Sequence, residues 1–156
     1  MLMHTRADII EAFEGVISPI PIVAAVYDFM AVQAPPRPPK DKVMVELQLA
    51  LEGENKRIDG GALPRETILD RTVYMSARIT AAVPRDFTGK EFERNVVGPI
   101  ETAVATCKAL EPLCNDWILQ GIELDAALDS NVETFGAVMV WRLTYSTAAD
   151  APGKPL

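Results

Sequence analysis

Thr134-Phe-Gly-Ala-Val-Met-Val-Trp-Arg-Leu-Thr-Tyr-Ser-Thr147 is the stretch on which the fold turns. Phe135, Ala137, Met139, Trp141, Leu143 and Tyr145 alternate with Val138, Val140, Arg142 and Thr144. Period-two alternation marks a β-strand, because successive side chains of a strand point to opposite faces. Val138 and Val140 make the second face apolar too, which predicts a central strand.

Working outward, the same rhythm returns twice. Over 41–51, Val43, Val45, Leu47, Leu49 and Leu51 oppose Met44, Glu46, Gln48 and Ala50. Over 72–83, Val73, Met75, Ala77, Ile79, Ala81 and Val83 oppose Tyr74, Ser76, Arg78 and Thr80. These two strands suit a hairpin. The polar stretch 52–66 between them, with Gly53, Gly60, Gly61 and Pro64, reads as a long loop. Residues 22–32 are β-branched enough for a strand that bends at Asp28. Residues 116–125 read as another, with Trp117, Leu119 and Leu124 on it and Gly121 at a bulge. Residues 128–133 read as a turn, and 148–156, with two prolines and a glycine, as a tail.

Two stretches change period. Thr5 and Asp8 form a capping pattern ahead of Ile9, Ile10, Phe13, Val16 and Ile17, which predicts a helix over 6–17 stopped by Pro19 and Pro21. Thr88 and Glu91 cap a second helix carrying Phe92, Val96, Val97, Ile100, Val104, Cys107 and Leu110. Gly98-Pro99 in its middle predicts a kink or two abutting helices, and Pro112 ends it. The expected class is α+β: an antiparallel or mixed sheet of about four to five strands with two main helices packed on one face. Residues 1–150 are expected to form a single α+β domain, with a stiff proline-rich arm at 34–40, the loop at 52–66, and a flexible tail at 151–156.

Composition narrows function. The chain has 156 residues, 49% of them hydrophobic and 24% charged, a globular balance. A net charge of −7 argues against a nucleic-acid binder, which needs clustered Lys and Arg. His4 is the single histidine, so most histidine-based catalysis and most histidine metal sites drop out. Asp8 and Glu11 interrupt any signal peptide, and Pro19 and Pro21 break the apolar run 16–27. A cytosolic site of synthesis, with Cys107 and Cys114 reduced, is therefore expected. No glycine-rich phosphate loop, serine-nucleophile elbow or Cys-x-x-Cys is present. Glu123, Asp125, Asp129 and Glu133 form an acidic cluster without a basic residue. It suits a solvated turn, and no nucleophile–base pair accompanies it, so no enzyme and no cofactor or metal is expected.

The order of elements, the helix with Ile9, Ile10 and Phe13, the amphipathic helix over 90–110, and the late strand ending Trp141-Arg-Leu-Thr-Tyr145-Ser-Thr147 before a short polar tail resemble the tail terminator proteins of long-tailed bacteriophages. The resemblance spans roughly residues 6–150 as a pattern, without a diagnostic motif. It implies a structural virion protein at the tail neck, assembled in the host cytoplasm. Copies of it, usually six, would form a ring that caps the tail tube, ends its growth and meets the head connector. The implied partners are further copies of the chain, the major tail tube protein and a head-tail connector or completion protein. DNA would pass through the lumen without specific binding, and no membrane is involved. Arg37, Lys40, Arg57, Asp59 and Arg65, then Tyr74 and Arg78, are the expected subunit or tube contacts. Glu123, Asp125, Asp129 and Glu133 are the candidates for an acidic lumen. Three other readings remain open: another neck component, a small carboxylate-using enzyme or ligand-binding domain, and an adaptor whose proline arm binds an aromatic groove.

Overall fold

The computed structural model describes residues 5–28, 38–39, 41–58, 67–82, 89–125, 128–129, 132–148 and 151–155. In chain order they form α1 (Thr5–Ile17), β1 (Val23–Asp28), β2 (Val43–Ile58), β3 (Thr67–Ala82), α2 (Gly89–Phe92), a π-turn (Glu93–Val97) and α3 (Gly98–Ala105). A 3-10 turn (Lys108–Leu110) follows, then β4 (Asp116–Asp125), β5 (Leu128–Asp129), β6 (Val132–Ala148) and β7 (Ala151–Pro155). The five long strands lie in the order β1-β2-β3-β6-β4. β1 runs parallel to β2, and every other pairing is antiparallel. The fold is α+β with a mixed sheet.

β6 is an interior strand, flanked by β3 along one side and by β4, β5 and β7 along the other. Its odd-numbered residues meet those of its neighbours in register: Trp141 lies opposite Met75 and Leu119, and Leu143 opposite Val73 and Trp117. Val45, Leu47, Met75, Ile79, Met139 and Trp141 are buried on this face. The helices cover it with Ile9, Phe13 and Ile17 from α1 and Phe92, Val96, Val97, Ile100 and Val104 from the second helical region. Phe13 meets Trp141 edge-on, with ring centroids 5.3 Å apart at 71°, a favoured aromatic geometry. The Trp117 indole N–H donates to the Val104 carbonyl at 2.8 Å and ties β4 to α3.

Three expectations need correction. The stretch 52–66 is not one long loop. β2 runs on to Ile58 and β3 begins at Thr67, paired residue by residue. The alternation breaks because Glu52 is an extra residue between Leu51↔Val73 and Gly53↔Thr72. The end at 151–156 is not all tail. β4 reaches only Thr144 on β6, so the ladder beyond is open, and β7 pairs there with Thr147 and Ala148. The turn expected over 128–133 contains strand pairing, with Leu128 opposite Glu133 and Asp129 opposite Val132.

The second helix is broken where proline requires it. Pro99 lacks an N–H and its ring would press on the carbonyl four residues back. The chain answers with a wider turn, in which the Gly98 N–H donates to the Glu93 carbonyl five residues back.

Candidate functional site

One sheet face is buried under the helices, and the opposite face, even-numbered on β3, β6 and the first part of β2, carries no helix among the described residues. It is built row by row from cross-strand neighbours. The first row is Tyr27, Glu46, Arg78, Val138 and Glu123. The next is Gln48, Ser76, Val140 and Gly121, and the third Ala50, Tyr74, Arg142 and Ile118. Glu46, Gln48, Ser76, Arg78 and Val138 line a shallow polar depression of about 260 Å³.

Hydrogen bonds hold the face. The Tyr27 hydroxyl donates to Glu46 Oε2 at 3.3 Å, and the Ser76 hydroxyl donates to the Gln48 carbonyl at 3.4 Å. Burial, with the Glu46 carboxylate beside it, raises the Tyr27 phenol above its ordinary value. The Tyr74 phenol is raised as well, first by its hydrogen bond to Glu52, with Arg142 opposing. At one end of the face, Thr144 Oγ1 donates to Asp116 Oδ1 at 2.6 Å and Ser146 Oγ to Asp70 Oδ1 at 2.6 Å. Asn115 Nδ2 donates to Ser146 Oγ at 3.0 Å. This brace joins β3, β6 and the corner that leads into β4. Among the side chains described on this face, the carboxylates Glu46, Glu52, Asp70, Asp116 and Glu123 outnumber the guanidiniums of Arg78 and Arg142.

Of the expected contact residues, Tyr74 and Arg78 lie together on this face, two pleats apart on β3. Arg57 belongs to β2, opposite Ile68 in β3. Arg37, Lys40, Asp59 and Arg65 lie outside the described residues. Of the acidic set, Glu123 is exposed on β4 opposite Val138, and Asp125 pairs with Gly136 at the end of β4. Asp129 is in β5, and Glu133 begins β6. Sequence reading missed Glu46, Arg142 and Ile118 as members of this surface. Each alternates singly among core residues, and its neighbours come from strands far along the chain.

Among the described residues, no group of His, Cys, Asp and Glu is arranged to hold a metal ion. No described helix is long and apolar enough to cross a membrane. No protein-family model matches the sequence, and a search of curated proteins finds no match.

Proposed function

We propose that the chain is a tail terminator, a structural protein whose copies close into a ring on the last layer of a phage tail tube and stop its growth. The observation that carries this reading is the division of the sheet. One face is sealed by helices, and the other is a broad polar surface with acidic side chains in excess among those described. A ring that turns this face inward has a wall past which DNA slides, because carboxylates repel phosphates. The net charge of −7 favours the same use. The sequence resemblance and the helix–strand order supply the rest. Head-to-tail contacts between identical copies close into such a ring.

The test is negative-stain imaging of the purified protein mixed with tail tubes from the same particle, with tube lengths measured. Rings on one end, with tube length held constant, are the expected outcome. Tubes that keep growing with bare ends reject the terminator role, and binding to the connector alone assigns another neck component. A ring whose outer wall carries Glu123 rejects the acidic lumen.

A further inference from the structure

The sheet ends in two strands whose outer edges meet no other strand among the described residues: β4 on one side and β1 on the other. Both expose side chains along that edge. Ala24 and Ala25 are exposed on β1, and Ile118, Gln120 and Glu123 on β4. Ile118 is 49% exposed, one of two large hydrophobic side chains so placed among the described residues. An open strand edge with an exposed apolar residue is a template for pairing with another chain.

We infer that β4 is the seam between copies, and that it takes β1 of a second copy of this chain. Strand direction supports the choice. β2, β3, β6 and β4 alternate in sense, and β1 runs with β2, so β1 and β4 of one copy run in opposite senses. Copies related by rotation about one axis keep those senses. The neighbour's β1 therefore meets β4 antiparallel, which continues the pattern of the sheet. Because the two edges differ, each joined copy leaves one edge of each kind, and the chain of copies ends only by closing.

Charge selects this pairing over β4 against β4. The sequence Asp116-Trp-Ile-Leu-Gln-Gly-Ile-Glu-Leu-Asp125 contains no cation. Two antiparallel copies of it would bring Asp116 towards Glu123, and like charges facing across strands are destabilising. β1 has a single carboxylate, Asp28, at its C-terminal end. The exposed Lys42 sits at its N-terminal end, where its Nζ donates to the Pro21 carbonyl at 3.3 Å. Antiparallel docking brings that lysine to the exposed Glu123. β1 has six residues to the ten of β4, so Asp28 stops short of Asp116. Bulges at Val23/Ala25 and at Leu119/Gly121 oppose slippage and open-ended aggregation.

This seam fits the ring reading above but is tested apart from it. Two double variants, Ala25→Cys with Gln120→Cys and Ala25→Cys with Glu123→Cys, straddle the register. Within one copy the edges are four strand spacings apart, about 19 Å, too far for a disulfide. The full-length variants are oxidised at high concentration, alone and with tail tubes, and run on a denaturing gel. A ladder of chain multiples from at least one pair, lost on reduction and absent from the single variants, is expected. Ile118→Asp added to the same pair should abolish the ladder while the circular dichroism spectrum stays native. Dimers from Gln120→Cys or Glu123→Cys alone would show β4 against β4 and overturn the inference. So would oligomers without a ladder, or a monomer under both conditions. A ladder without capped tubes keeps the seam and rejects the terminator; capped tubes without a ladder do the reverse.

Discussion

Cys107 and Cys114 are both buried and free, at the two ends of the turn that follows α3. Cys107 Sγ lies 3.8 Å from the Ala12 carbonyl, a weak donor contact onto α1. The Cys114 thiol is pushed up to about 12, by burial first, then by Asp116 and Cys107. A thiol held that high carries almost no thiolate, the reactive form, at neutral pH. The native protein is expected to leave both thiols unreacted with a chromogenic disulfide reagent at pH 8, and to release two equivalents on unfolding. Fast reaction of either in the folded state would contradict the packing.

Glu14, on α1, behaves differently. Its carboxyl is raised by burial, then by Asp28 and Glu11. The native state therefore favours its protonated form. That contribution is full below the unfolded pKa and is lost as pH rises through the folded one. At pH 7 the ionised group is a net cost. Because the side chain is only partly buried, the like-charge penalty is small, about 0.3 kcal/mol. Glu14→Gln is expected to raise stability by roughly that amount at pH 7 and to be neutral near pH 4. Urea unfolding of both proteins at the two pH values measures it, and an equal effect at both would exclude the charge explanation.

At the scale of elements, the readable parts were those whose period runs unbroken. The alternation from Phe135 to Tyr145 is continuous, and the strand is where that alternation puts it. The same holds for α1, whose apolar spacing ends at Ile17 just before Pro19. The apolar alternation of β2 stops at Leu51 because one extra residue, Glu52, resets the phase and the residues beyond it are polar. Their pairing comes from the facing strand and leaves no mark in composition. Tyr74 and Arg78 were legible as a polar face. Glu46 was not, since its neighbour Arg78 lies across a hairpin whose register the sequence does not display.

The π-turn gives the prediction at this scale. Gly98 has ordinary helical angles, so by propensity alone Gly98→Ala should stabilise by about 1 kcal/mol. A Cβ there would sit 3.1 Å from the Glu93 carbonyl oxygen. That oxygen is held in place by the Gly98 N–H itself, so it has little room to retreat. Gly98→Ala is expected to lower the thermal midpoint, and a rise would show that the wide turn yields.

Across the whole molecule, stability and the proposed association draw on different surfaces. The sheet's inner face and both helical regions form one core, so a change there is felt throughout. The outer strand edge and the polar face contribute little to that core. Phe13 is fully buried against Trp141. Phe13→Ala is expected to cost about 3–5 kcal/mol in urea unfolding, the usual penalty for emptying an aromatic site. Ile118 lies on β4, whose outer edge meets no strand among the described residues, with half its surface in water. Ile118→Asp is expected to change stability by no more than about 0.5 kcal/mol. Sedimentation velocity should rank the variants the other way. Ile118→Asp should lose the oligomer while remaining folded, and Phe13→Ala should retain it below its melting temperature. If Ile118→Asp unfolds the chain, the edge belongs to the core. If it folds and still assembles, the copies meet elsewhere, and the polar face of β2, β3 and β6 is the surface to vary next.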